Sequence, residues 1–144
     1  GVMGAFFSGS SDLIEFLIQK SRPYIYTTAI SPSICVATLK SLELIKEVEQ
    51  KEKLFSNINY FKNCAETLDL HFKPSESSIQ PLIIGSSNKA LSLSNKLFEA
   101  GYFVNAIRPP TVPPNTARLR FTLSANHNFS QIESLLQKVK DVMA

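Results

Sequence analysis

The sequence predicts an α/β chain whose second half is a β-α-β-β-α unit, a small sheet with helices on one face. Three observations predict it. Residues 78–85, SIQPLIIG, make an apolar run of strand length. Residues 117–123, ARLRFTL, alternate apolar and polar side chains as a half-buried strand does. Two stretches of helical periodicity, 88–100 and the segment from 128 onward, each follow one of these two strand segments.

Taken in order, residues 2–7 (VMGAFF) predict a short buried strand, and Ser8-Gly9-Ser10 a turn. A helix is expected from Ser11 and Asp12, whose oxygens suit a cap, with Leu13, Ile14, Leu17 and Ile18 turned to a core. Arg22-Pro23 should break it. Tyr24-Ile25-Tyr26-Thr27-Thr28 is β-branched and aromatic, which favours extended backbone before Ser31-Pro32 opens the next helix. From about Ser33 to Leu68 the pattern predicts one long helix. Leu39, Leu42, Ile45 and Val48 form its first apolar stripe, Leu54, Ile58, Phe61 and Ala65 its second, and the charges of KEVEQKEK a solvated face.

After Lys73-Pro74-Ser75 the first strand of the sheet is expected, Pro81 marking an edge or an irregular entry. The helix Asn88 to Ala100 would bury Ala90, Leu91, Ser94, Leu97 and Phe98, with Gly101 capping its C-terminus. Tyr102 to Ile107 and Ala117 to Leu123 are the remaining strands. Asn128-Phe-Ser-Gln and Ser130-Gln-Ile-Glu both resemble capping boxes for a last helix burying Phe129, Ile132, Leu135, Leu136, Val139 and Val142.

Composition narrows the function classes. With 44% apolar and 19% charged residues the 144-residue chain is globular rather than disordered, and a net charge of +3 is too small to argue for nucleic acid. No apolar run approaches the roughly 20 residues of a membrane span. Cys35, Cys64, His71 and His127 lack metal-ligand spacing, so no metal site is expected, and the cysteines are read as reduced thiols packed like small apolar residues. The apolar opening Gly1 to Phe7 leads us to expect the C-terminal part of a larger protein.

The chemistry concentrates in residues 106–127, AIRPPTVPPNTARLRFTLSANH. If Leu119, Phe121 and Leu123 face the helices, Arg118, Arg120 and Thr122 face away, and two arginines on an open strand offer forked donors to a carboxylate or phosphate. The preceding loop, Arg108 to Thr116, holds four prolines, which restrict φ and leave less entropy to lose on ordering. Such a loop suits a binding wall. A rigid crossover with its arginines in surface ion pairs remains the competing reading.

This segment resembles the corresponding stretch of the α-oxoamine synthases, pyridoxal-phosphate (PLP) enzymes. GVMGAF, YIYTTAISP and SIQPLIIG extend the resemblance over the whole chain. IQPLIIG followed by IRPPTVP is most similar to the members that serve biotin biosynthesis. The resemblance implies a fold of the aspartate-aminotransferase-like class (fold type I), its small domain a short antiparallel sheet with helices on one face. It implies a cytoplasmic homodimer with the active site at the subunit interface. Residues 1–50 would end the large PLP-binding domain and start an interdomain helix, and 51–144 would form the C-terminal small domain.

The implied reaction is a decarboxylative condensation of L-alanine with a pimeloyl thioester, carried on CoA or an acyl carrier protein. The implied Schiff-base lysine lies upstream of Gly1, so no catalytic residue is expected within the chain, and the chain alone should be inactive. Thr28 matches a threonine that reaches the cofactor phosphate of the neighbouring subunit. Arg120 matches the arginine gripping the amino-acid carboxylate, Thr111 a substrate-contacting threonine, and Arg108 a residue receiving the acyl partner. Arg118 and His127 are expected to be structural.

Two departures from the family pattern stand out: Ser31 replaces a proline, and Asn115 replaces a glycine while tolerating left-handed backbone. The alternatives are a relative of the glycine C-acetyltransferase or 5-aminolevulinate synthase type, and a non-catalytic ligand-binding module. RNA binding fits poorly, because adjacent Tyr102 and Phe103 cannot share a strand face.

Overall fold

A computed structural model describes residues 3–143. The chain divides into two units, Gly1–Glu47 and Val48–Ala144.

The first unit is helical: α1 (Ser11–Lys20), α2 (Arg22–Ile25) and α3 (Pro32–Ile45). Ser10 caps α1, its Oγ accepting from the Leu13 N–H at 3.4 Å, one residue earlier than the sequence suggests. None of the three helices has a buried residue. Leu13 and Ile18 therefore do not reach a core, although Ile14 and Leu17 are half-buried. Two expected strands are absent among the described residues. Residues 3–7 have no regular structure, while Gly1 and Val2 of that prediction lie outside the described residues. In place of an extended 24–28, Pro23 sits in the first turn of α2, where a missing N–H costs nothing. β-branching favours a strand only where the pleat has a partner to pack on, and no strand precedes Ile79 among the described residues. Cys35 is exposed rather than packed, and Cys64 is half-buried.

The long helix expected from Ser33 to Leu68 is two helices. The first closes with i→i+3 bonds, Lys46 N–H to Glu43 O at 3.1 Å and Glu47 N–H to Leu44 O at 3.0 Å, before α4 (Val48–Thr67) begins. The stripes explain the interruption. At 3.6 residues per turn, Leu39-Leu42-Ile45-Val48 and Leu54-Ile58-Phe61-Ala65 would lie roughly 160° apart on one continuous helix. Only the second stripe enters a core; Leu39, Leu42, Ile45 and Val48 are exposed.

The second unit continues with β1 (Ile79–Gly85), α5 (Ser87–Glu99), β2 (Asn105–Ile107), β3 (Ala117–Thr122) and α6 (Phe129–Met143), the expected β-α-β-β-α order behind α4. The sheet order is β1-β3-β2, antiparallel throughout. Pro81 sits on the edge strand as expected. Its carbonyl accepts from the Lys73 N–H at 2.9 Å, so the backbone of Pro81 faces away from β3 and its missing N–H costs no ladder bond.

A core of α4, α5, α6 and one sheet face contains Ile58, Phe61, Ala65, Leu82, Leu93, Leu97, Leu119, Phe121, Leu136 and Val139, all buried. Phe72 meets Phe61 and Phe121 edge-on at 4.9 and 5.2 Å between ring centres. Leu93 replaces Leu91 and Phe98 in the expected α5 stripe, the latter two being 40% and 65% exposed. Ser94, half-buried, donates to the Val104 carbonyl at 2.6 Å. The turn after α5 satisfies its last carbonyls: Gly101 N–H bonds Phe98 O at 2.9 Å and Tyr102 N–H bonds Leu97 O at 2.8 Å. That geometry requires the left-handed φ of +90° that Gly101 supplies. Asn128 and Gln131 form the reciprocal capping box of α6 at 3.0 and 2.9 Å, and Phe129, 45% exposed, stacks on Tyr60 instead of entering the core.

Candidate substrate-binding face

The alternation of β3 is as the sequence predicts. Ala117, Leu119 and Phe121 are buried; Arg120 and Thr122 are exposed. Helices cover one sheet face, and the register places specific rows on the other. Pro81, Arg120 and Asn105 align across the sheet, and Ile83, Arg118 and Ile107 form the next row.

The two arginines differ. Arg118 is half-buried and turns back on its own loop, Nε donating to Thr116 O at 3.0 Å and Nη2 to Thr116 Oγ1 at 3.1 Å. Thr116 Oγ1 in turn donates to Pro113 O at 2.8 Å. Arg118 therefore clamps the end of the proline loop. Arg120 is exposed and has no hydrogen bond or ion pair from its guanidinium among the described residues. A fork of charged donors left open on a rigid strand is suited to bind a carboxylate in two parallel bonds.

The loop before β3 is built from two turns. Thr111 N–H closes on Arg108 O at 3.1 Å and Thr116 N–H on Pro113 O at 3.2 Å. Asn115 adopts φ +60°, so the residue standing in for glycine does take the left-handed conformation. Arg108 and Thr111 are both exposed, at the two ends of the first turn. The second unit thus carries Arg108 and Thr111 on one braced loop, and Arg120 on the strand that follows it.

Thr28 belongs to the first unit, exposed in the segment between α2 and α3. The neighbouring threonines differ in engagement: Thr27 Oγ1 donates to the Pro23 carbonyl, whereas Thr28 Oγ1 has no partner among the described residues. Ser31 stands at the N-cap of α3 and bonds Ser33 Oγ at 2.8 Å rather than the helix backbone.

His127 is structural. Its Nδ1 accepts from Ser124 N–H at 3.2 Å, and the turn it closes is held by buried Asn57, whose Nδ2 donates to Ser124 O and His127 O, both at 2.9 Å. Sequence reading missed Asn57. A polar residue next to Ile58 in the second apolar stripe of α4 was the available signal. Beside it, Glu133 accepts from the Tyr60 hydroxyl and pushes that phenol above its ordinary range, with burial and Cys64 adding to the effect. A hollow along α4 lined by Lys51, Phe55, Tyr60 and Phe129 contains none of Arg108, Thr111 or Arg120. No group of three or more His, Cys, Asp or Glu able to hold a metal occurs among the described residues, and no helix there is long and apolar enough to cross a membrane.

Residues 1–139 match the profile of aminotransferase class I and II. The chain belongs to that family. Within the aminotransferase class I and II family, it is 48% identical over 144 residues to the 8-amino-7-oxononanoate synthase of Saccharophagus degradans, covering 99% of this chain and 36% of the relative. It is 50% identical over 142 residues to that of Pseudomonas fluorescens, covering 98% and 36%. The chain thus spans about a third of the length of these curated relatives. Among solved structures, the 8-amino-7-oxononanoate synthase of Francisella tularensis superposes with a TM-score of 0.74 at 33% identity, over 93% of this chain and 39% of that one. A serine palmitoyltransferase variant from S. paucimobilis, solved with a bound PLP–myriocin aldimine, gives 0.77 at 27% identity over 88% and 33%. These neighbours bear out the aminotransferase-like fold class expected from the sequence.

Proposed function

We propose that this chain forms the C-terminal part of an 8-amino-7-oxononanoate synthase, a PLP-dependent C-acyltransferase of biotin biosynthesis. The enzyme would condense L-alanine with a pimeloyl thioester, on CoA or an acyl carrier protein, releasing CO2 and the thiol. The observation that carries this reading is Arg120, a guanidinium without a partner among the described residues on the open face of a rigid strand, in a chain 48–50% identical to curated synthases over nearly all its length.

Each residue then has a role. Arg120 binds the alanine carboxylate through its fork, which fixes the orientation of the bonds at Cα before reaction. Thr111, on its braced turn, contacts substrate, and Arg108 meets the acyl partner at the other end of that turn. Thr28 offers an unengaged hydroxyl donor suited to the PLP phosphate, so the donor set fits the cofactor. When bound, PLP supplies the electron sink for the carbanion at Cα, and the protein supplies its orientation. Residues 1–50 would close the large PLP-binding domain and 51–144 form the small one. We also place the enzyme in the cytoplasm as a homodimer with sites at the subunit interface.

The serine palmitoyltransferase neighbour favours a second reading, the same chemistry with other substrates, and glycine with acetyl-CoA is the version the sequence resemblance also offers. The test is a visible absorption spectrum of the PLP-loaded enzyme containing this chain, titrated with L-alanine and with glycine. A cofactor band that alanine perturbs at lower concentration than glycine supports the synthase. A band that glycine alone perturbs moves the chain to the second reading, and material without a cofactor band overturns both.

A further inference from the structure

We infer that Asn105 is a positioning residue for Arg120, setting how the guanidinium presents itself to the amino-acid carboxylate; this rests on the reading of Arg120 given above. Asn105 is the direct cross-strand partner of Arg120 on β2, as Pro81 is on β1. Directly opposed residues share a sheet face, with Cβ atoms roughly 4.5–5.5 Å apart. The carboxamide of Asn105 therefore emerges beside Arg120, on the face the helices leave uncovered.

Donor counting gives that neighbour a task. A guanidinium carries five N–H donors and a two-pronged carboxylate contact uses two of them. The rest need acceptors, or the plane of the fork is free to turn. Around Arg120 the acceptors are few. Pro81 has no side-chain acceptor, Ile83 and Ile107 of the next row are apolar, and Thr122, on the same face two residues along β3, has a hydroxyl but lies outside the cross-strand row of Arg120. Arg118 is itself a cation already bound to Thr116. Asn105 is the directly paired residue that has an acceptor. It is half-buried, at the first position of a strand only three residues long, and its side chain makes no hydrogen bond among the described residues. With substrate bound, its Oδ1 accepts from the guanidinium edge turned away from the carboxylate and leaves the outer fork free. The ring of Pro81 walls the opposite side.

The experiment uses the PLP-loaded enzyme containing this chain, with KM for L-alanine, KM for the pimeloyl thioester and the alanine-induced absorbance change as readouts. Asn105→Ala is expected to raise the alanine KM about tenfold, the scale of one hydrogen bond to a charged group, with the thioester KM unchanged. Asn105→Asp, nearly isosteric, is expected to be worse than Ala, because its carboxylate takes the fork that the substrate needs. Asn105→Thr, which keeps a short acceptor, should recover part of the loss. A purely structural asparagine predicts the reverse order, with Asp mildest and both KM values moving together. That order, or three variants that bind alanine like the wild type, overturns the inference alone. A wild-type enzyme indifferent to alanine overturns the synthase reading, and this inference with it.

Discussion

The two units carry similar kinds of apolar residue and do opposite things with them. In Val48–Ala144, sixteen hydrophobic residues are buried, and α4, α5 and α6 share one core with the sheet. In Gly1–Glu47 none of the described residues is buried, and Phe6, Phe16, Tyr26, Leu39 and Ile45 are 94%, 59%, 80%, 62% and 72% exposed. Periodicity reports that a face wants burial; it does not report where the covering surface comes from. The second unit supplies its own cover and the first does not. The proposed roles divide the same way, since Arg120, Thr111 and Arg108 stand on a scaffold with a core while Thr28 lies in a segment between helices that have no buried residue.

The largest expected effect belongs to Arg120. In the full enzyme, Arg120→Ala should lower kcat/KM for L-alanine on the order of 10²–10³-fold in steady-state assays, as loss of one partner of a charge-assisted pair does. Because Arg120 is exposed, the urea midpoint should stay in place. Next, Leu136→Ala, at a fully buried position, should cost about 2–5 kcal/mol in denaturant unfolding, whereas Leu39→Ala should change stability by less than about 0.5 kcal/mol. A large loss at Leu39 would break the comparison, because it would mean that the α3 stripe is covered after all. Asn57→Ala should cost about 1–3 kcal/mol, since a buried amide that donates to two half-buried carbonyls is lost, and calorimetry is the simplest readout. Smallest is Thr28→Ala: loss of one neutral hydroxyl donor to the phosphate should weaken PLP about threefold to tenfold, measured by cofactor titration. No change there would remove Thr28 from the site.

Legibility in the sequence followed the same division. Apart from α4, whose start the pattern ran back into one long helix from Ser33, the elements of the second unit lie within two or three residues of where pattern and capping signals put them, because local propensity and tertiary burial agree there. The capping box at Asn128 and the glycine stop at Gly101 were readable since each is a local rule with its own hydrogen bonds. The strand expected at residues 102–107 shrank to Asn105–Ile107 because Gly101 and Tyr102 are spent on ending α5 and Val104 is held by Ser94. The face bearing Arg120 was visible from alternation alone; that Arg118 is occupied and Arg120 open was not, since it depends on where Thr116 comes to rest. In the first unit, β-branched and aromatic residues were read as strand because propensity was the only guide. Register was out of reach as well, so the pairing of Asn105 with Arg120 came only with the sheet.

The edges of that sheet have a consequence for how the chain behaves in company. An exposed strand edge is a template on which another chain can add itself. Here β2 offers three residues, and β1 lacks a donor at Pro81, is already contacted there by Lys73, and bulges before Gly85, whose φ is +83°. Ile79 and Ile83 lie open on the face, yet the strand between them cannot serve as a continuous growing end. Unwanted association of this chain would then run through the exposed apolar side chains of residues 3–47 rather than through the sheet edges.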